Sequence, residues 1–160
     1  EEILGESRRT EEQESSSKTK SGWWRVQSRE IKGAAMRIYS AKELIVYQKS
    51  FAAAMEIFEV SKTFPAEERF ALTSQIRRSS RSVSMNLREA WAKRRYEAHF
   101  VSKLTDCDGE NGETETSLDF ALACGYIDNE THRSICDANH EIARMLSSMI
   151  REPDKFLIKS

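Results

Sequence analysis

The chain has 160 residues, and its 25 basic residues nearly balance its 26 acidic residues, which gives a formal net charge of −1. A chain of this length can form one domain with its own hydrophobic core, so it needs no metal or disulfide to fold. The charge balance argues against a general polyanion binder. Two prolines and six glycines exclude collagen-like and Pro/Gly-rich chains. No run approaches the roughly 18 consecutive apolar residues of a membrane-spanning helix.

The cysteines indicate a reducing compartment. Cys107, Cys124 and Cys136 are odd in number, widely spaced and form no Cys-x-x-Cys pair. This pattern is typical of reduced thiols that serve as small apolar residues on helices. The polar N-terminus offers no apolar segment of a secretory signal. We therefore expect a cytoplasmic protein.

Residues 1–40 are predicted to form a flexible N-terminal extension, because most of this stretch is polar, rich in serine and weakly patterned. Trp23 and Trp24 are the exception, and they could dock on the domain. Met36 stands just before the first strongly patterned segment. We hypothesise that Met36 is the natural start of the protein.

Apolar residues recur every three or four positions from residue 41 onward, which is the period of an amphipathic helix. The predicted helices cover about residues 42–62, 65–96, 97–124 and 128–152. Gly125 is placed to end the third helix with a positive φ angle, and Asp128 to cap the start of the fourth. No strand signature interrupts the pattern. We therefore predict an all-α, antiparallel up-and-down four-helix bundle over residues 41–153, with a frayed tail over residues 154–160.

The same spacing predicts which residues of each helix face the core. They are Leu44, Tyr47, Phe51, Met55 and Phe58 in the first helix, Leu72, Ile76, Val83, Leu87 and Ala90 or Trp91 in the second, Phe100, Leu104, Cys107, Asn111, Thr114, Leu118 and Ala121 in the third, and Ile135, Ala138, Ile142, Met145 and Met149 in the fourth. The serine-rich run over residues 79–84 predicts a close approach of another helix, or a kink. Gly109 and Gly112 each weaken the third helix by about 1 kcal/mol relative to alanine.

Charge is distributed unevenly between the second and third helices. Residues 66–98 hold eight basic and four acidic residues, whereas residues 99–127 hold one basic and six acidic residues. The candidate nucleic-acid-binding residues are Arg77, Arg78, Arg81, Arg88, Arg94 and Arg95. Four of them, spaced by four or seven residues, fall within an arc of about 40° on one helix face. Such a row can follow phosphates, but the same spacing also suits pairing with the acidic third helix, within or between subunits.

Enzymatic and metal sites find little support in the sequence. A di-iron centre in a four-helix bundle needs two Glu-x-x-His motifs, and the chain offers only Asp137-x-x-His140. His132 and Cys136 are four residues apart and can share a helix face, but two ligands do not make a zinc site. No Gly-rich phosphate loop is present, and a cysteine nucleophile would lack a positioned base and a cleft. We therefore expect no enzymatic activity, no metal and no cofactor.

Four stretches carry a family resemblance: LIVYQK at residues 44–49, LTSQIRR at residues 72–78, SV-x-x-NL-x-EA at residues 82–90, and FALACGYI at residues 120–127. In this order they resemble the S23, or 23S rRNA intervening-sequence, protein family, over about residues 40–150. Ser84, Arg88 and Ala90 depart from the family pattern, which has Pro, Ala and Gly at these positions.

The resemblance implies an all-α bundle that assembles as a homo-oligomer, with pentamers among relatives. Some members are encoded inside rRNA intervening sequences. A related protein, the accessory variability protein of diversity-generating retroelements, binds nucleic acid and a reverse transcriptase. The family has no known catalytic residues, and Arg77 and Arg78, which match its pattern, are candidate contacts.

The sequence as a whole favours a non-enzymatic, oligomeric four-helix bundle that binds RNA or a ribonucleoprotein through arginines of the second helix. Phosphate contacts would dominate, with little reading of bases. Tyr96, which follows Arg94 and Arg95, can stack on an unpaired base or pack at a helix end. The alternative is a protein–protein interaction scaffold without a nucleic-acid role, in which the basic and acidic helices pair across subunits.

Overall fold

The computed structural model describes residues 38–158. The predicted N-terminal extension up to residue 37, with Trp23, Trp24 and the proposed start at Met36, lies outside the described residues, as do residues 159 and 160. Four α-helices follow one another: Ile45–Val60 (α1), Leu72–Lys93 (α2), Glu97–Ala123 (α3) and Asn129–Arg151 (α4). Residues 38–158 contain no strand, so the predicted all-α class is confirmed for the described part of the chain.

Each helix packs on two others, and this arrangement is that of an up-and-down bundle. Helix α2 packs on α1 and α3, and α4 packs on α3 and α1. Short connections favour antiparallel neighbours, because the chain has no room to return to the other end of the bundle. Two buried clusters fill the space between the helices. The first includes Leu87, Trp91, Phe100, Leu104, Ile142 and Leu146, and the second includes Ile57, Phe64, Ile76, Leu118 and Ile135.

Polar side chains cross the core between the helices. The side-chain amide of Asn111 donates to the backbone carbonyl of Asn139 at 3.0 Å, and the hydroxyl of Thr114 donates to the Ser79 hydroxyl at 2.9 Å. All of these groups are buried, so each must find a partner to offset the loss of water. The predicted inward position of Asn111 and Thr114 is confirmed.

Helix α1 turns a different face inward from the one predicted. Its buried residues include Ser50, Ala53 and Ala54, whereas Phe51 and Met55 remain 46% and 39% exposed. The prediction for Phe51 and Met55 was therefore wrong. The reason lies on α2, where the Ser84 hydroxyl is 2.9 Å from the Ser50 hydroxyl. Small residues on both helices permit a close approach, which confirms the interpretation of the serine-rich run.

Both predicted caps around the α3–α4 connection are confirmed. Gly125 has a φ of +73°, a conformation that glycine adopts without steric cost. Its N–H donates to the carbonyl of Leu122 at 2.9 Å, and the Tyr126 N–H donates to the carbonyl of Ala121 at 2.8 Å, so the last carbonyls of α3 are satisfied. The Asp128 carboxylate accepts the N–H of Thr131 at 2.8 Å and caps α4.

Helix α2 begins later than its predicted start near Pro65. Residues Ala66–Phe70 form a separate 3₁₀ helix, and Ala71 leaves the helical region at φ −111° and ψ −110°. The Glu68 carboxylate accepts the N–H of Leu72 at 3.1 Å and the hydroxyl of Tyr126 at 3.1 Å. This carboxylate therefore supplies an acceptor for the first turn of α2 and ties it to the α3–α4 connection.

The chain after Pro153 packs on the bundle as far as residue 158, which differs from the frayed tail expected from the sequence. The Phe156 ring lies 6.1 Å from the Phe100 ring, and the Ile158 N–H donates to the carbonyl of Arg94 at 3.3 Å. Apolar burial of Phe156 and Leu157 against the first core cluster holds this segment.

Candidate functional site

The candidate arginines divide into two groups along α2. In the first half, Arg77 and Arg81 lie over the ring of Phe58, with guanidinium carbons 5.0 and 5.6 Å from its centroid. Arg77 also donates through Nε to the hydroxyl of Ser61 at 2.7 Å. Both side chains thus lie against α1 and its C-terminal end, where their charge is attracted to an aromatic face.

Arg78, which lies outside the predicted row of four arginines, pairs with the acidic α3, whereas within residues 38–158 no member of that row forms an ion pair with α3. Arg78 Nη2 lies 3.0 Å from Glu113 Oε1, and the side chains remain 59% and 38% exposed. Exposed pairs of this kind contribute little to stability. A second link between the helices is Lys103 of α3, whose Nζ lies 3.1 Å from Glu89 and 3.0 Å from Asp106. Hydrogen bonds to Asp106 and then to Glu89 raise the pKa of Lys103.

The second group lies at the C-terminal end of α2 and in the turn that follows, because the helix ends at Lys93, before its predicted end near residue 96, and Arg94 and Arg95 lie beyond it. Arg88, Lys93 and Arg95 are exposed, and within residues 38–158 none of them forms an ion pair or a ring contact. Arg94 differs, because its guanidinium stacks 4.0 Å from the Trp91 ring centroid and donates to the carbonyl of the same residue. Burial lowers the pKa of Arg94, and the positive charge of Arg88 lowers it further. We call Arg88, Lys93, Arg94 and Arg95 the cationic end of α2.

Tyr96 adjoins the cationic end in the turn before α3. The side chain is 63% exposed, and its ring centroid lies 5.8 Å from that of His99, which is also exposed. This exposure leaves much of the Tyr96 side chain accessible to a partner, as stacking on a base would require.

A groove of about 450 Å³ runs between the outer faces of α1 and α2. It is lined by Tyr47, Phe51, Ala54, Met55, Arg81, Ser84, Met85, Arg88 and Glu89. Phe51, Met55 and Met85 are exposed in it, the last at 65%. We call this surface the α1/α2 groove. It exists because α1 buries its small residues and leaves its large apolar ones outside.

A second groove, of about 620 Å³, opens between the short helix at 66–70 and α3. Its lining includes the exposed rings of Phe70 and Phe120 together with Glu68 and Glu113, and no basic side chain contributes to it. Its acidic edge makes it unsuited to phosphate, so it is not a candidate for the predicted contact with nucleic acid.

Polar side chains of α3 and α4 that face each other form a further cluster. Sequence patterns along single helices did not predict it. His132 Nε2 lies 2.8 Å from Asp119 Oδ1 and 3.5 Å from Cys136 Sγ. About two helical turns further along α4, His140 Nε2 lies 2.8 Å from Glu115 Oε1. The i, i+4 spacing of His132 and Cys136 was visible in the sequence, but the third donor comes from a different helix.

The buried cysteines are not activated nucleophiles. Burial raises the pKa of Cys107 to about 12 and that of Cys136 to about 11, with nearby carboxylates adding to the effect. Both thiols therefore stay protonated at neutral pH, and a protonated thiol is a poor nucleophile.

Similarity to known proteins agrees with this architecture. Residues 42–148 match the model of the 23S rRNA-intervening sequence protein family. A solved structure from Bacteroides thetaiotaomicron VPI-5482, described as a protein with unknown function from the S23 ribosomal protein family, is 34% identical. The match covers 66% of this chain and 98% of that chain, with a TM-score of 0.61.

No curated protein matches this chain. Within residues 38–158, no helix combines the length and apolar character needed to cross a membrane. Since the family model matches residues 42–148 and a solved S23-family protein is 34% identical with a TM-score of 0.61, the chain belongs to the 23S rRNA-intervening sequence protein family.

Proposed function

We propose that this protein is a non-enzymatic, oligomeric binding protein that contacts RNA or a ribonucleoprotein through the cationic end of α2. The observation that carries the proposal is the set of exposed charges on Arg88, Lys93 and Arg95, which form no ion pair with any other residue of the described range 38–158. Clustered positive charge that no carboxylate offsets attracts the phosphates of a nucleic acid without regard to sequence.

The lowered pKa of Arg94 supports this reading of the charge. Part of the shift comes from the like charge of Arg88, so the two guanidinium groups repel one another in the isolated protein. A phosphate group between them would relieve that repulsion and accept hydrogen bonds from both. The free protein thus holds its arginines in an arrangement that an anion stabilises.

Tyr96 adds a contact of another kind. An exposed tyrosine beside arginines can stack on an unpaired base, whereas the arginines hold the backbone. We therefore favour RNA with unpaired loops or bulges over a continuous duplex, because stacking requires a base outside a helix. Membership of a family named for 23S rRNA intervening sequences is consistent with such a partner.

The proposed contact with nucleic acid lies nearer the C-terminal end of α2 than the contact predicted from the sequence. Of the six candidate residues, Arg77, Arg78 and Arg81 are engaged by Ser61, Glu113 and Phe58. Arg88 and Arg95 carry the proposed phosphate contacts, with Arg94 beside them. A partner can reach Arg88 and Arg95 without breaking an ion pair or a ring contact within the described part of the chain.

The experiment measures RNA binding by fluorescence anisotropy, with a labelled RNA hairpin and the full chain. In Arg88→Glu/Arg95→Glu we expect affinity to fall by more than about tenfold, because two attractive contacts become repulsive. The melting temperature should stay unchanged, since within residues 38–158 neither side chain has an ion pair or a ring contact to lose. Arg133→Glu/Arg144→Glu is the matched control, because it makes the same charge change at exposed positions on α4. Equal losses in both variants would refute the site, and no binding by the wild-type chain would refute the function.

A second candidate function is a protein–protein interaction scaffold, and the α1/α2 groove favours it. Phe51, Met55 and Met85 are exposed there beside Arg81 and Arg88. Aromatic, methionine and arginine side chains are the residues enriched in the centres of protein interfaces. A second copy of this chain would cover these apolar groups, in agreement with the homo-oligomer expected from the family resemblance.

Sedimentation velocity distinguishes the two functions. If the groove is the subunit interface, Met85→Lys should dissociate the oligomer, while Ser147→Lys, exposed on α4, should leave its mass unchanged. Retained RNA binding in a monomeric Met85→Lys would assign RNA to the cationic end and self-association to the groove. A wild-type chain that sediments as a monomer would contradict a scaffold formed by contacts between subunits.

A further inference from the structure

One side of α4 carries a set of side chains that can act as metal ligands. His132, Cys136 and His140 recur every four residues, so they lie along one face of the helix. That face meets α3, which contributes Asp119 opposite His132 and Glu115 opposite His140. None of these residues belongs to the cationic end of α2 or to the α1/α2 groove.

Three of these side chains bring three different donor atoms together. A carboxylate oxygen of Asp119, an imidazole nitrogen of His132 and the sulfur of Cys136 all lie within 4.8 Å of one another. The bonds of Zn²⁺ to histidine nitrogen and cysteine sulfur are about 2.0–2.1 and 2.3 Å long, which places such a pair about 3.5 Å apart around a tetrahedral ion. The distance from His132 Nε2 to Cys136 Sγ is 3.5 Å. These two residues already have the spacing of ligands.

We propose that Asp119, His132 and Cys136 bind a Zn²⁺ ion that links α3 to α4. The ion would take Asp119 Oδ1, His132 Nε2 and Cys136 Sγ, and water would complete its tetrahedral coordination. The nitrogen, sulfur and oxygen donors favour zinc over magnesium or calcium, which prefer oxygen ligands alone. Binding releases the proton of the Cys136 thiol to solvent, because the thiolate is the ligand.

The carboxylate has to move, and its exposure permits the movement. Asp119 Oδ1 lies 2.8 Å from His132 Nε2, a hydrogen-bond distance, so it must withdraw by about half an ångström to reach the spacing of two ligands. The Asp119 side chain is 65% exposed, the His132 side chain is 21% exposed, and Cys136 is 6% exposed. The site is therefore rigid on the sulfur side and open to an entering ion on the carboxylate side.

The surrounding charges favour a cation. Glu115, Asp119 and Asp137 all act electrostatically on Cys136, and they place negative charge around the sulfur. A divalent cation there would be attracted by the same carboxylates. The ion would join the last turns of α3 to the first half of α4, across the connection that Gly125 and Asp128 already shape.

Co²⁺ is the probe for this site, since it occupies tetrahedral zinc sites and absorbs visible light. We expect the untagged full chain to bind one equivalent of Co²⁺ with a thiolate-to-cobalt charge-transfer band, and Zn²⁺ to displace it. Cys136→Ser should abolish the band, while Cys124→Ser, which removes the exposed thiol, should leave it intact. A spectrum without the band, or a band that persists in Cys136→Ser, would overturn the proposal.

Variants of the other ligands separate coordination from folding. Asp119→Ala changes an exposed side chain, so its fold is expected to survive, and it should weaken Co²⁺ binding by about tenfold or more. His132→Ala should weaken binding at least as much. His140→Ala is the matched control, because it removes the other histidine–carboxylate pair between α3 and α4 and leaves all three proposed ligands in place, and its affinity should stay within about twofold of the wild type. Equal affinities in all three variants would overturn the assignment of ligands.

Discussion

The guanidinium group of Arg81 lies over the ring of Phe58, with its central carbon 5.6 Å from the ring centroid. Arg77 shares the same ring at 5.0 Å. Two members of the arginine row are therefore held against α1, where they stabilise the contact between α1 and α2. The exposed charge available to a partner is displaced toward the C-terminal end of α2, where Arg88 and Arg95 lie.

This relationship predicts the effect of removing the ring. Phe58→Ala should lower the free energy of unfolding by about 1–2 kcal/mol, because a half-buried aromatic side chain and its cation–π contacts with Lys62, Arg77 and Arg81 are lost. Phe120→Ala is the control, since Phe120 is 59% exposed, and it should change stability by less than about 0.5 kcal/mol. Urea denaturation measures both values. Equal effects would mean that the contact with Phe58 does not stabilise α1 against α2.

The close approach of α1 and α2 predicts intolerance of larger side chains at Ser84. Ser84→Leu should destabilise the protein by about 1–3 kcal/mol, because it inserts carbon atoms where two hydroxyl groups lie 2.9 Å apart. Ser74→Leu, at an exposed position on the same helix, is the control and should be nearly neutral. The midpoint of urea unfolding reports the difference. A neutral Ser84→Leu would contradict the close packing.

The glycines of α3 predict a gain in stability. A Cβ atom added at Gly109 or Gly112 meets no atom within 4 Å, and both residues are within a helix. Alanine at either position should raise the free energy of unfolding by about 1 kcal/mol. Gly125→Ala should instead lower it, because a φ of +73° strains any residue with a side chain. Thermal unfolding measures all three effects. The prediction is contradicted if all three substitutions change stability in the same direction.

Asp128 predicts a dependence of stability on pH. Hydrogen bonds from the Thr131 N–H and side chain hold the pKa of Asp128 below its ordinary value of 3.8. Asp128 therefore stabilises the fold above that value, and this contribution is lost as the pH falls through the folded-state pKa. Asp128→Asn keeps a capping side chain but does not titrate. The melting temperature of the wild type relative to Asp128→Asn should fall from about pH 5 to about pH 2. A difference that stays constant over this range would contradict the assignment.

The sequence predicted α3 and α4 better than α1, and the reason is the number of apolar faces. Residues such as Leu104 on α3 and Ile142 on α4 belong to single apolar stripes, so their periodicity identified the buried side. Helix α1 carries apolar residues on two faces, and periodicity cannot choose between the Phe51 side and the Ala53 side. The choice depends on Ser84, which belongs to another helix.

The candidate sites show the same limit. The sequence shows the charges of Arg77 and Arg88 equally well. Only the structure shows that Arg77 lies over the Phe58 ring and that Arg88 is exposed. His132 and Cys136 were recognisable as a pair, whereas Asp119 joins them through the packing of α3 on α4. Whether a residue has structural partners or can bind a ligand depends on contacts between distant parts of the chain.

The salt dependence of RNA binding tests the central claim most directly. Each phosphate contact adds about 0.7–0.9 to the slope of log affinity against log salt concentration. We predict that Arg88→Ala/Arg95→Ala flattens the slope of the wild type by about 1.4–1.8, and that Arg133→Ala/Arg144→Ala leaves it unchanged. A slope that is the same in all three proteins would contradict a phosphate contact at the cationic end of α2.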